Sequence, residues 1–211
     1  MACPLCGSLE CVEIHRDRRR GYLRCAGCGL IHVSPEARLD AAAERSRYAL
    51  HRNHPGDDGY RRFLSRLADP LLAVVPVGAV GLDFGCGPGP VLAEMLRAAG
   101  RPTAIYDPFF APDEAVWTRT YDFITASEVF EHLFDPAAEL NRLFAALKPG
   151  GVLAVMTSFV PASPEAFANW HYLLDETHVC FYDRRVFEYI ADRWSAAARF
   201  PADNVVMLCR P

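Results

Sequence analysis

The sequence predicts an α/β protein with a mostly parallel sheet, preceded by a small metal-binding module. From residue 70 onward, apolar strand-like runs alternate with amphipathic helical stretches. A glycine-rich loop follows the first of these strands, and two closely spaced cysteine pairs lie near the N-terminus. We therefore predict three zones: the module at 1–35, a helical linker or cap at 36–69, and the α/β domain at 70–211.

The cysteine pairs have the spacing of a four-cysteine zinc ribbon. Cys3 with Cys6 and Cys25 with Cys28 form two C-x-x-C-G motifs, and 18 residues separate Cys6 from Cys25. A two-residue gap lets both thiolates of a pair reach one tetrahedral ion. These four residues are the predicted ligands of a structural zinc ion; four unligated, reduced cysteines are the alternative.

The elements of the middle and last zones follow from their pattern. Helix-permissive stretches at 36–48 and 60–67 are separated by a glycine- and proline-containing break at 53–59. The α/β zone then gives strands at 77–84, 103–106, 123–127, 152–157 and 205–208, with helices at 91–99, 136–147 and 184–193. Gly100 and the Pro149-Gly150 pair end the first two of these helices, and Asp183 is the expected N-cap of the third. This alternation implies a sheet covered by helices on both faces.

Composition limits the classes of function. The chain has 51% apolar and 23% charged residues and a formal charge of −4, which argues against disorder and against a protein that coats nucleic acid. The charge is uneven, because residues 1–69 hold 12 Arg against 9 acids. No apolar run reaches 18 residues and no secretory leader is visible, so we expect a cytoplasmic protein without a membrane span.

The loop at residues 85–90 is predicted to bind a ligand. Gly85, Gly87 and Gly89 follow a strand and precede a helix, so the backbone can approach a ligand at the carboxyl end of the sheet. No G-K-[ST] follows, and Pro90 breaks the dinucleotide fingerprint. Asp107 ends the next strand, where an acid can accept hydrogen bonds from ribose hydroxyls. A tight turn without a ligand is the alternative.

Together these motifs resemble class I S-adenosylmethionine-dependent methyltransferases. The resemblance is carried by D-F-G-C-G-P-G at 83–89, Asp107, and residues 121–133 and 147–151, and it covers roughly residues 70–211. It implies a methyltransferase with a seven-stranded Rossmann-like sheet that uses S-adenosylmethionine. The implied cofactor-binding residues are Asp83, Gly85, Cys86 and Gly87 for the methionine moiety, Asp107 for the ribose, and Ser127 and Glu128 beside the cofactor. The chain departs from the family at 108–120, where 13 residues replace a helix and a strand.

The acceptor side is assigned to residues 159–183, a long segment whose D-x-T-H-V-x-F-[FY] motif resembles an element of these methyltransferases. His178 is the first candidate for a base or acceptor-orienting group, ahead of His132 and His171. A structural histidine bonded to Asp175 or to a carbonyl is the alternative. The E-x-x-E-H run from Glu128 to His132 resembles a divalent-ion patch of ubiquinone-pathway O-methyltransferases, with a structural or cofactor-capping role as the alternative.

Three functions remain open at this point. The leading one is methylation of a small-molecule acceptor by a methyltransferase with a zinc-ribbon cap. The second is RNA methylation, in which the ribbon and the arginine-rich segment would contact phosphates; the candidate residues are Arg16, Arg18, Arg19, Arg20, Arg45, Arg47, Arg52, Arg61 and Arg62. The third is a non-catalytic module that senses the cofactor or binds a partner protein.

Overall fold

A computed structural model describes residues 1–50, 54 and 56–211. The elements follow in chain order: β1 (Cys11–Arg16), β2 (Gly21–Cys25), β3 (Ile31–Val33), α1 (Ala41–Tyr48), α2 (Asp58–Leu72), β4 (Gly81–Phe84), α3 (Val91–Ala98), β5 (Thr103–Tyr106), β6 (Tyr121–Ser127), α4 (Pro136–Ala146), β7 (Leu147–Met156), α5 (Pro164–Ala168), β8 (Cys180–Phe181), α6 (Arg184–Arg193), β9 (Ala197–Ala202) and β10 (Val205–Cys209). The predicted α/β class is confirmed. Of the predicted break at 53–59, residues 53 and 55 lie outside the described residues.

The larger sheet places three loops at one edge. Its strand order is β5-β4-β6-β7-β10-β9. Strands β5, β4, β6 and β7 pair in parallel, whereas β10 is antiparallel to both β7 and β9. Phe84 lies opposite Tyr106, and Asp83 lies opposite Thr125. The carboxyl ends of β4, β5 and β6 therefore meet, as expected for a binding crevice in a parallel sheet.

The prediction of seven strands is wrong, because the described part of the chain puts six in this sheet. The segment after Asp107 is too short for a helix and a strand, and it holds only a 3₁₀ turn at Glu114–Thr118. Strand β9 was missed in the sequence because its residues alternate between exposed and half-buried positions around a proline, Pro201. It lies at the sheet edge, where proline is tolerated.

Helices cover both faces of the sheet, as predicted. Along β7, the side chains of Val152 and Met156 pack with α2 and α3, whereas those of Leu153 and Val155 pack with α4 and α6. This two-residue alternation divides the interior into two apolar clusters. The division of the chain at 35/36 and 69/70 stays a prediction; helix α2 runs through residue 69 and buries its apolar face against the sheet.

The N-terminal module is joined to the α/β domain by a shared sheet. Strands β1, β2 and β3 continue into β8, which lies in the segment assigned to the acceptor side. Ile31 pairs with Phe181, and the Val33 amide donates to the Val179 carbonyl at 3.0 Å. The apolar residues of the module also belong to the cluster around α4 and α6. The module is therefore part of the wall that holds this segment.

None of the helices in the described ranges combines the length and the apolar character that crossing a membrane requires.

Candidate functional site

A cavity of about 730 Å³ opens at the carboxyl edge of the parallel strands. Helices α1 and α2 close it from the other side through Glu44, Tyr48, Tyr60 and Phe63, four residues that the sequence interpretation did not select. The cavity brings together most of the predicted site: Gly85, Cys86, Gly87, Asp107, Ser127, Glu128, His132 and His178. His171 is exposed and lies outside this lining.

The glycine loop needs glycine for two different reasons. Gly85 has φ +73°, and a Cβ there would lie 2.4 Å from a Val129 methyl carbon. Gly87 has φ +63°, but a Cβ there would meet no atom within 4 Å. The first glycine permits tight packing against the loop after β6, and the second keeps the cavity surface bare.

Asp107 joins two loops. Its carboxylate Oδ1 accepts from the amides of Phe109 and Phe110 at 2.8 and 3.0 Å, and its Oδ2 accepts from the Gly87 amide at 3.0 Å. Three backbone donors fix the side chain, which is only 8% exposed. A carboxylate oxygen has two lone pairs, so Oδ2 keeps acceptor capacity toward the cavity.

Asp83 is not among the residues that line the cavity, and its assigned contact with the methionine moiety stays a prediction. Its side chain is 3% exposed and accepts the Thr125 hydroxyl at 2.8 Å. Burial raises its pKa to about 7. Asp83 therefore braces β4 against β6 beneath the loop. Asp113, in the shortened segment, caps a 3₁₀ turn through the Ala115 amide and also lies outside the cavity lining.

Glu128 is the most unusual residue of the site. It has φ +53°, a left-handed backbone conformation rare outside glycine. Its Oε2 lies 3.0 Å from the Tyr172 hydroxyl, whereas its buried Oε1 has no hydrogen-bond partner among the described residues. Burial, followed by the adjacent Glu131 carboxyl, raises the pKa of Glu128 to about 8. A buried carboxyl group without a counter-charge suits a cationic ligand group.

Glu131 and Tyr172 anchor the wall behind Glu128. The fully buried Glu131 accepts hydrogen bonds from the Tyr172 hydroxyl and from the Thr157 hydroxyl, the latter at 2.9 Å. Burial raises the pKa of Glu131, and these donors offset part of that effect. Tyr172 thus contacts both carboxyl groups of the E-x-x-E-H run. The sequence placed Tyr172 in the acceptor-side segment but carried no signal for this contact.

The two histidines face each other across the acceptor side, with ring centroids 4.8 Å apart. The Nδ1 atom of His178 lies 2.8 Å from the Tyr172 carbonyl, and that of His132 lies 3.2 Å from the Thr177 carbonyl. A carbonyl only accepts, so each Nδ1 donates and each Nε2 keeps its lone pair. Burial lowers the pKa of His132 to about 4 and that of His178 to about 3, so both rings are neutral at pH 7.

Among the described residues, two groups of side chains could hold a metal ion. The Sγ atoms of Cys3 and Cys28 are 3.5 Å apart and those of Cys6 and Cys25 are 3.4 Å apart. All four lie within 4.8 Å of one another, close to the roughly 3.8 Å sulfur separation of a tetrahedral zinc site.

The second group differs from the predicted E-x-x-E-H patch. Donor atoms of Glu131, His132 and His178 lie within 4.8 Å of one another, so His178 takes the place of Glu128. The divalent-ion interpretation of this patch stays a prediction.

The fold and cavity together define a class I S-adenosylmethionine-dependent methyltransferase. Residues 52–193 match the family described as methyltransferase domain, and the chain belongs to that family. It is 38% identical over 124 residues to trans-aconitate 2-methyltransferase of Methylobacterium radiotolerans, covering 46% of each chain. It is 30% identical over 119 residues to ubiquinone biosynthesis O-methyltransferase of Xanthomonas axonopodis pv. citri, covering 44% of this chain and 48% of that one.

The chain thus spans about half the length of the curated relatives it matches. Among solved structures, magnesium protoporphyrin IX methyltransferase from Synechocystis with bound S-adenosylhomocysteine shares the fold. Its TM-score is 0.51 at 12% identity, over 82% of this chain and 95% of that one.

Proposed function

We propose that the chain transfers a methyl group from S-adenosylmethionine to a compact small-molecule acceptor. The observation that supports this most is the convergence of the bare Gly85–Gly87 backbone, the Asp107 carboxylate and two neutral histidines on one cavity. Its volume lies within the range of about 300–1,000 Å³ that is usual for small-molecule sites.

The described residues fit the cofactor. Gly87 offers open surface, Asp107 offers a carboxylate oxygen for ribose hydroxyls, and Glu128 offers an unpartnered carboxyl for a cationic group. Cys86 and Ser127 complete this side of the cavity. When bound, S-adenosylmethionine supplies an electrophilic methyl group on a sulfonium sulfur, so the protein has only to orient the acceptor, exclude water and move a proton.

His178 is the proposed proton acceptor, with His132 as its partner. Both Nε2 atoms keep a lone pair, since each Nδ1 is bound to a carbonyl. A neutral imidazole of this low basicity can accept the proton that an acceptor O–H group loses on methylation, because the protonated oxygen formed by methyl transfer is a much stronger acid than the imidazolium. The hydrogen bond from each Nδ1 also fixes the ring, as it would in a purely structural histidine, so turnover is the measurement that separates the two roles.

The charge of the cavity bears on the acceptor. Glu44 and Asp175 add carboxyl groups to its lining, which contains no lysine or arginine among the described residues. A polycarboxylate would find no counter-charge there. We therefore propose an acceptor that is neutral or cationic, unlike the acid named for the trans-aconitate relatives.

RNA methylation is less well supported. Arg16 is bonded to Glu13, Arg19 to Glu176, and Arg47 lies 3.9 Å from Asp175. These arginines already face carboxylates. Arg52 lies outside the described residues.

The four cysteines of the N-terminal module are proposed to hold one structural zinc ion, which would fix the ribbon next to the acceptor side.

Calorimetric titration tests the cofactor assignment directly. S-adenosylmethionine and S-adenosylhomocysteine should bind the wild-type chain with one site, and absence of binding would remove the proposal. A panel of amines, phenols, polycarboxylates and RNA is then assayed by release of S-adenosylhomocysteine. Turnover with an amine or phenol that is lost in His178→Gln supports the proposal. Salt-sensitive turnover with RNA alone would instead support the second function.

A further inference from the structure

Arg20 is the most completely buried arginine among the described residues. It lies at the tip of the β1–β2 hairpin, is 4% exposed, and does not line the cavity. The sequence placed it among arginines that could contact phosphates. Its burial removes it from that group, so its contacts need a different explanation.

All five N–H groups of this guanidinium are matched by acceptors. The Nε donates to the Tyr22 hydroxyl at 3.0 Å. Each Nη atom donates to two backbone carbonyls of one segment: Nη1 to Glu176 at 2.9 Å and His178 at 2.8 Å, and Nη2 to Asp175 at 2.8 Å and Leu173 at 3.3 Å. Only a planar fork with five donors can satisfy this set.

The segment that Arg20 binds supplies the acceptor wall. Residues 172–178 contribute the Tyr172 hydroxyl to Glu128 and Glu131, and the Thr177 carbonyl to His132. They also carry His178 itself, whose ring is fixed by the Tyr172 carbonyl. No helix or strand spans residues 175–179, so the segment is held by separate contacts: backbone hydrogen bonds of Val179 with Val33 and Glu131, and the carbonyl contacts with Arg20.

The hairpin tip is built to present Arg20. The Asp17 carboxylate accepts from the Arg19 and Arg20 amides at 2.7 and 2.8 Å, and its other oxygen accepts the Tyr22 hydroxyl at 2.8 Å. Tyr22 in turn accepts from Arg20. The turn, the aromatic residue and the guanidinium therefore form one hydrogen-bonded unit of the N-terminal module.

From this arrangement we infer that Arg20 is a positioning residue, through which the N-terminal module sets the place of His178 and His132 in the cavity. The inference rests on the proposed function only in one respect, namely that the two histidines face the acceptor. It explains why a cysteine-rich module shares a sheet with the acceptor-side segment: without the guanidinium, four carbonyls of that segment lose their common donor.

The test compares three full-length variants with the wild-type chain: Arg20→Met, Arg20→Lys, and Arg18→Met as a control on the same turn, where the side chain is exposed. The imidazole signals of His178 and His132 are followed by NMR and assigned with His178→Gln and His132→Gln. Amide hydrogen exchange is measured for residues 173–179, and S-adenosylhomocysteine is titrated into each variant.

In Arg20→Met, both imidazole signals should shift, and exchange in 173–179 should accelerate by more than about tenfold. Affinity for S-adenosylhomocysteine should stay within about twofold, since Gly85, Gly87 and Asp107 lie on other elements. Arg20→Lys should not restore the wild-type signals, although it keeps the positive charge, because one ammonium cannot replace two Nη atoms. Arg18→Met should match the wild type.

Unchanged histidine signals and exchange in Arg20→Met would overturn the inference, as would full rescue by lysine, which would mean that charge alone matters. If Arg20→Met does not fold, Arg20→Lys decides by the same signals; unfolding of both would make Arg20 a general folding residue and would also overturn it. If the wild-type chain does not bind S-adenosylhomocysteine, the proposed function is removed. The inference about Arg20 is then still judged by the histidine signals and the exchange rates of residues 173–179.

Discussion

The buried Glu128 carboxyl should give the protein a measurable dependence of stability on pH. In the folded chain, burial raises its pKa to about 8, while a glutamate in the unfolded chain has its ordinary value near 4.5. Between these two pH values the folded state binds more protons than the unfolded state. The free energy of unfolding therefore falls as pH rises, and the loss is complete once the folded carboxyl has ionised.

Replacing Glu128 with Gln should remove this contribution while leaving an oxygen for the Tyr172 hydroxyl. Each pH unit within the window corresponds to about 1.4 kcal/mol, so the wild type should lose about 2 kcal/mol between pH 6 and pH 8 through this group. The assay is urea unfolding at pH 6, 7 and 8, with Glu165→Gln, an exposed residue, as control. The reasoning is refuted if the stability difference between Glu128→Gln and wild type is the same at all three pH values.

Other contacts of the site can be tested by substitution and by metal analysis. Gly87→Ala should keep most of the wild-type stability but bind S-adenosylhomocysteine more than about tenfold more weakly, because the new Cβ points into open space. Gly85→Ala should lower the free energy of unfolding by more than about 2 kcal/mol, because its Cβ would collide with Val129. Equal behaviour of the two variants in unfolding and binding assays would contradict this. Tyr172→Phe should cost about 1–3 kcal/mol in denaturant unfolding, because two buried carboxyl groups lose the hydroxyl that lies between them; an unchanged free energy of unfolding would contradict this. Mass spectrometry of the native protein should find one zinc per chain, lost in Cys25→Ser but kept in Cys209→Ser.

The sequence could predict those parts of the site that depend on short stretches of chain. The strand at 103–106 and the helix at 184–193 are confirmed with their predicted bounds, because apolar periodicity and an N-capping aspartate act within a few residues. The same locality places Gly85, Gly87 and Asp107 at the ends of adjacent strands, and it brings the four cysteines of two short motifs within reach of one ion.

Other features were missed or misplaced because they depend on burial and on distant partners. The hydrogen bond between Thr125 and Asp83, for example, joins residues 42 positions apart on β6 and β4. The aromatic and acidic residues of α1 and α2 enter the lining only because those helices fold over the sheet edge.

Local spacing in the chain is therefore enough to specify the α/β class, the glycine loop with its aspartate, and the paired cysteines. Tertiary structure alone decided the number of strands, the neutral state of the two histidines and the role of Arg20. The reason is physical: Arg20 and the His178 carbonyl are 158 residues apart, and only the folded chain excludes water from around them and brings donor and acceptor together.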